Sequence, residues 1–182
     1  NTLFRKFAKT PIQQPVKKAL REGVVIDERQ DEKSIAVLHD ILVENRRKHL
    51  LPPIPLHFYQ KMCRSLGRKH IAVYLAMQAG EPVGGLLVLK FKDMWTAEYA
   101  GSSSKAANGV NQLLYWDSIK RAKKSGAEYY SFGRTSLENN GLLVFKRRWT
   151  KSEEDLISFY NYIGATSAKG NEFSNTGNIG IY

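Results

Sequence analysis

Among 182 residues the chain has one cysteine, Cys63, which rules out an internal disulfide and leaves a thiolate metal cluster without ligands. Core packing is its expected role. No apolar run approaches the roughly 20 residues that a bilayer-crossing helix needs, and no secretory signal is recognisable. The chain opens on Asn1 without a Met, so an upstream portion is expected. A cytosolic setting is the expected location, with the inner face of the membrane as a variant of it. Internal repeats and low-complexity blocks are absent, which argues against a solenoid. Acid is scarce: 17 Asp and Glu stand against 28 Lys and Arg, for a net charge of +11. This balance favours anionic partners, whether nucleic acid, nucleotide-linked substrate, acidic polymer or membrane face, and does not choose among them. His39, His49 and His57 have no carboxylate or thiol partner in local sequence, so they read as surface or packing residues.

What is present suits one core with an appendage. The first 23 residues are basic and broken by Pro11 and Pro15, so only Val16 to Glu22 is expected to be helical, closed by Gly23. Val24 to Ile26 is a short strand candidate. Asp31 to His49 has an apolar face at Ile35, Leu38, Ile41 and Leu42 and acid at its start, which predicts a helix. The prolines at 52, 53 and 55 stop it, and a second helix is predicted from about Leu56 to Leu66. Three strands follow, at 70–77, 82–91 and 94–101, with connections tight enough to imply an antiparallel meander.

Leu113 to Trp149 is the densest stretch. Leu113, Leu114, Trp116, Ile119 and Ala122 keep helical spacing, with cations in the last turn before Gly126. Ala127 to Phe132 reads as a strand, and Gly133 to Gly141 as a polar loop. Phe145-Lys146-Arg147-Arg148-Trp149 sets three cations between aromatics. As a strand it puts Lys146 and Arg148 on one side and Phe145, Arg147 and Trp149 on the other; as a helix it fans them out. The stretch 169–182, rich in Asn, Gly and Ser, is expected to be an extended, weakly tethered tail. A second polar loop, Gly101 to Lys105, leads into a helix near Asn108-Gly109, where backbone N–H groups and the dipole would form an anion site with Lys105. A splayed strand pair beside it could offer an acyl carbonyl a backbone donor.

This order of elements resembles the GNAT acyltransferase superfamily. Phe132-Gly133-Arg134-Thr135, Gly141 and Phe145 to Trp149 resemble the carboxyl-terminal signature of FemAB-like proteins. Lys17 to Val24 and Gly80 to Gly85 are similar to that family's crossing segment and hairpin. The resemblance implies an α/β fold with a mixed, mainly antiparallel sheet flanked by helices. It also implies a division into 1–27 as the tail of a preceding GNAT-like unit, 28–168 as a second, transferase domain, and 169–182 as the tail.

The implied activity is transfer of an acyl or aminoacyl group to an amine on a cell-wall or polysaccharide precursor. The donor would be aminoacyl-tRNA or acyl-CoA, and no cofactor is certain. A Gly-x-Gly or Gly-x-Ala pyrophosphate pattern is missing from 101–112, which disfavours acetyl-CoA. The implied partners are an anionic or lipid-linked precursor, tRNA, an amino-terminal GNAT-like domain of the same protein, and a second copy of the chain.

Lys146 is the first candidate for a catalytic cation, holding a phosphate or polarising the attacked carbonyl. Glu98 could act as general base and Tyr99 as proton donor to a leaving group. Gly133, Arg134 and Thr135 at the strand end, together with Lys105, Asn108, Gly109 and Arg148, are the substrate-binding candidates, Arg134 by two-point grip of an anion. The competing reading is a non-catalytic module that binds RNA or another anion and supports an amino-terminal domain.

Overall fold

The computed structural model of the protein describes residues 2–29, 31–156 and 178–181. Helix α1 (Thr2–Lys6), a π-helical turn (Lys9–Gln13) and α2 (Gln14–Arg21) lead into strand β1 (Val25–Arg29). Helices α3 (Glu32–Lys48) and α4 (Leu56–His70) follow, then the hairpin strands β2 (Ile71–Gln78), β3 (Glu81–Phe91) and β4 (Met94–Ser102). After α5 (Val110–Lys124) come the short strands β5 (Tyr129–Ser131) and β6 (Gly133–Ser136), helix α6 (Asn140–Arg147), β7 (Glu153–Leu156) and β8 (Asn178–Ile181).

The main sheet runs in the order β1-β2-β3-β4-β5, antiparallel throughout except where β5 lies parallel to β4. Both of its faces are covered, so the central strands are buried over continuous runs, at Ile71 to Ala76 and Val83 to Val88. Their alternation sorts two cores. Ala72, Tyr74, Leu86 and Val88 pack with α2, α5 and α6, whereas Ile71, Val73, Leu75 and Leu87 pack under α3 and α4.

Helices can come this close to β3 because two adjacent glycines face opposite ways. A Cβ on Gly84 would lie 2.6 Å from Val110 Cγ1 of α5, and one on Gly85 would lie 2.5 Å from Leu38 Cδ1 of α3. Val110 is buried and β-branched, so it cannot swing aside. Gly84→Val is therefore expected to lower the unfolding free energy by about 1–3 kcal/mol through overpacking, read from the urea midpoint at unchanged slope.

The amino-terminal arm is more helical than its prolines suggest, since α1 and the π-turn precede α2. Pro15 occupies the first turn of α2, where a missing N–H costs nothing. Ile12, Val16 and Ala19 of this arm are buried in the α5 core, so residues set apart by sequence share the domain's interior. Helix α3 starts where expected, because the Asp31 carboxylate accepts from Ser34 N at 2.9 Å. Those bonds from Ser34 hold the Asp31 carboxyl below its ordinary value. Gly67 (φ 64°) breaks α4 where the sequence places its end.

Three expectations are corrected. The segment 133–141 is not a free loop: it forms β6, a turn and the start of α6. The segment 145–149 is not a strand but the end of α6 and the residues beyond it. The cause is a helix cap, in which Asn139 Oδ1 accepts from Leu142 N at 3.1 Å and starts a helix before the cations. The stretch 169–177 lies outside the described residues. The part of the expected tail that is described is not weakly tethered: β8 is the middle strand of a second sheet, paired antiparallel with both β6 and β7. Among the described residues no helix is long and apolar enough to cross a membrane.

Candidate functional site

Strand β5 hydrogen-bonds to β4 only at Met94 to Thr96, and the two chains then part. Gly133 turns β5 into β6 with φ 70°, and its Cα packs so near β4 that an added Cβ would stand 2.9 Å from the Ala97 carbonyl oxygen. On the other side of β4 the pairing steps from Val88↔Ala97 to Leu87↔Tyr99, leaving Glu98 as the extra residue of a bulge. A bulge re-aims the side chain it carries. The sheet opens here into a cavity of about 630 Å³.

The wall is assembled from remote segments. The end of α3 supplies Asn45, Arg46 and His49; the loop after it supplies Leu51 and Ile54; the bulge supplies Glu98 and Tyr99. Helix α5 contributes Asn111 and Tyr115, and the opposite wall is Phe132, Gly133, Arg134, Leu142, Phe145 and Lys146.

Lys146 is buried, with 4% of its surface exposed, because a helical turn puts it one face with Leu143 and Trp149 and not out in water. Its Nζ donates to the carbonyls of Gly133 and Arg134 at 3.0 and 3.1 Å. An ammonium has three N–H groups, so one is left for a ligand. Burial pushes its pKa down from 10.5 to about 8, with the Glu98 carboxylate pulling the other way. Burial, and then the charge of Glu98, raises the Tyr99 hydroxyl above its ordinary value, so Tyr99 holds its proton. Tyr115 stacks on Phe132 at 5.5 Å and lies near Phe145 and Trp149, and Phe7 of the amino-terminal arm closes on Trp149 at 5.2 Å. This aromatic group fixes α6, and through α6 it fixes Lys146.

Of the residues singled out by sequence, Lys146, Glu98, Tyr99, Gly133 and Arg134 meet at this cavity. Thr135 is buried beside it and does not line it. Lys105, Gly109 and Arg148 line no described cavity, and Asn108 lines a different, more open groove with Lys17, Lys18 and Arg21 on α2. That groove, about 840 Å³, has no group in its lining able to take up a proton from an amine.

The expected anion site at 101–109 is in part taken up by the protein's own hydrogen bonds. Three of its amides and that of Val110 are engaged: Ser103 N donates to Val83 O, Ser104 N to the Glu44 carboxylate at 2.8 Å, Ala106 N to Ser103 O and Val110 N to Ala107 O. The Ser104 N–H holds the Glu44 carboxyl low, so a negative charge sits beside that amide. At Gly109 the Pro15 carbonyl oxygen occupies the space, 2.1 Å from an added Cβ.

Asn111, Tyr115 and Arg46 were not legible as site residues. Asn111 donates through Nδ2 to Ser102 Oγ, and its buried Oδ1 has no hydrogen-bond partner among the described residues. A ligand N–H would satisfy it.

Solved structures share this architecture. FemX is 13% identical with a TM-score of 0.73; the match covers 81% of this chain and 55% of FemX, so the chain spans just over half of that protein's length. An aminoglycoside acetyltransferase from an uncultured soil metagenomic sample is 16% identical, with a TM-score of 0.60 over 77% of this chain and 96% of that one. The ribosomal-protein-S18-alanine N-acetyltransferase of Escherichia coli is 12% identical, with a TM-score of 0.60 over 87% and 90%. At these identities the likeness shows the fold. No curated protein matches the chain. The model of the acetyltransferase (GNAT) domain matches residues 6–147, from the amino-terminal arm through the last turn of α6. By that match, which takes in every residue lining the cavity, the chain belongs to the GNAT acetyltransferase domain family, a family of acyl-transferring enzymes.

Proposed function

We propose that the chain moves an acyl or aminoacyl group to an amine on a cell-wall or polysaccharide precursor, in the manner of FemAB-like enzymes. The observation that carries this reading is the buried ammonium of Lys146, in one cavity with a bulged carboxylate, Glu98, and a protonated phenol, Tyr99.

Lys146 donates its free N–H to the acyl oxygen as that oxygen gains charge, which stabilises the tetrahedral state in a low-dielectric wall. The amine nitrogen bonds to the acyl carbon and gives its proton to Glu98. The bond from carbon to the leaving oxygen breaks, and that oxygen takes the Tyr99 proton. Solvent then restores both groups. Arg134 at the cavity edge holds a phosphate or carboxylate of the precursor. The engaged amides of Ser103, Ser104 and Ala106, with no Gly-x-Gly or Gly-x-Ala in 101–112, support aminoacyl-tRNA over acyl-CoA as donor.

The test gives the full chain either labelled aminoacyl-tRNA or acetyl-CoA, with an amine-bearing, nucleotide-linked peptide as acceptor, and reads product mass. An aminoacyl adduct formed only from the tRNA is the expected result. An acetyl adduct overturns the choice of donor.

The α2 groove, with Lys17, Lys18 and Arg21, favours a second reading in which the chain holds RNA for a separate catalytic domain. RNA retention that falls steeply with salt, with no adduct from either donor, would establish it.

A further inference from the structure

The rim of the cavity carries a feature that acyl transfer does not use. Helix α3 ends in Arg46, Arg47 and Lys48, and the chain then runs through His49, Leu50 and Leu51 to the prolines. Leu50 is 94% exposed, Leu51 48% and Phe58 42%. Leu51 lines the cavity, and Phe58 meets Tyr99, another lining residue, edge-on at 6.4 Å, so the exposed apolar groups adjoin the cavity lining.

The leucine is held out by structure. Leu50 takes φ 55°, a conformation in which Gly or Asn costs far less than a residue with a branched side chain. The turn is pinned on both sides: Leu51 N donates to Arg46 O at 3.0 Å, Arg46 Nε to Pro52 O at 2.6 Å, and His39 Nε2 lies 3.2 Å from Ile54 O. A strained backbone that fixes an apolar side chain in water asks for an occupant.

Charge identifies it. From Asn45 to Lys61 the sequence has four cations, Arg46, Arg47, Lys48 and Lys61, and no acid. Among the described residues Lys48 alone of the four is paired with an acid, Glu44 at 3.1 Å. A partner with an apolar interior and an anionic skin complements leucines that protrude between lysines and arginines.

We propose that the segment from Arg47 to Phe58 docks the mouth of the cavity onto a bilayer surface rich in anionic phospholipid. Leu50 enters the headgroup boundary while Arg47, Lys48 and Lys61 lie against lipid phosphates, and the cavity opens toward amphiphilic acceptors at that surface. Docking of this kind needs no turnover, so it stands or falls separately from the acyl-transfer reading.

The experiment sediments the full chain with vesicles of phosphatidylglycerol mixed with phosphatidylcholine, and with phosphatidylcholine alone. Binding to the anionic vesicles only is expected, with release by about 0.5 M salt. Leu50→Glu should weaken partitioning by about tenfold or more, since it replaces a buried leucine with a repelled charge. Arg47→Glu should weaken it by a similar factor of about ten. Both side chains are exposed, so circular dichroism should show an unchanged fold. Absence of binding to anionic vesicles overturns the proposal. So does equal binding by both variants, which would place the contact on another basic surface such as the α2 groove. Loss of self-association in Leu50→Glu by sedimentation velocity, with vesicle binding unchanged, would assign the patch to a second copy and overturn it as well.

Discussion

Lys146→Met should lower turnover by about 10²–10³-fold, the loss seen when one preorganised donor to a developing oxyanion is removed. Methionine fills the aliphatic path of the lysine stem and removes the ammonium. Two carbonyls, of Gly133 and Arg134, lose their donor, which costs stability; the buried charge also disappears, which offsets part of that cost. The stability change is therefore expected to be small beside the rate change, and near-ultraviolet circular dichroism checks that the aromatic packing of Tyr115, Phe132 and Trp149 persists. KM should move little, because the lost interaction strengthens only as charge develops on the acyl oxygen. A variant with wild-type turnover would remove Lys146 from the chemistry. One in which KM alone rises would make it a binding group.

Gly133→Ala is expected to cost about 1–3 kcal/mol of stability, and about tenfold or more in turnover, since small displacements of reacting groups are heavily penalised. Gly133 does three things at once. It takes φ 70°, lets β6 leave β4 within 2.9 Å of the Ala97 carbonyl measured from the missing Cβ, and presents the carbonyl that holds Lys146 Nζ. The Ala97 oxygen belongs to the backbone of β4, held by its pairing with Val88 of β3, and cannot yield as a side chain would. Relief must come from β6, which carries Arg134 and the Lys146 acceptors with it. Differential scanning calorimetry should show a fall of about 2–4 °C in Tm per kcal/mol lost. Unchanged Tm and turnover together would mean that the close approach at Gly133 does not shape the site.

The fold was legible where local pattern and tertiary environment agree. The meander could be read because β2 and β3 are apolar runs bounded by tight turns, and α3 because Asp31 marks its start ahead of a periodic apolar face. Pattern failed at 145–149, where three cations between aromatics read equally well in either period. The deciding signal, Asn139 six residues before the first of those residues, is a cap recognisable only once the helix is suspected. That misreading matters for function, since a strand would pair Lys146 with Arg148 at the surface, whereas the helix buries it beside Leu143.

Glu98 and Tyr99 were legible as residue types, but the bulge that re-aims Glu98 depends on register with Leu87 and Val88 of β3, which lies beyond local sequence. The polar loop at 101–105 misled for a related reason. Its composition suits an anion, yet the Ser103 and Ser104 amides are taken by Val83 and by Glu44, the latter sixty positions before Ser104. Asn111, Tyr115 and Arg46 reach the cavity only through packing of α5 and α3 on the sheet.

The central claim is that a protonated Lys146, buried in the cavity, assists acyl transfer. Its pKa in the folded protein is depressed from 10.5 to about 8, so the ammonium is present below that value and lost above it. Folding consequently releases a proton between these two values, and stability should rise with pH across that window as the buried charge is neutralised. Activity should do the opposite. The direct measurement is the pH dependence of kcat for the full chain: the account expects turnover to fall as pH rises through about 8. A kcat that stays level or climbs through that range would show that the ammonium of Lys146 is not the acting species.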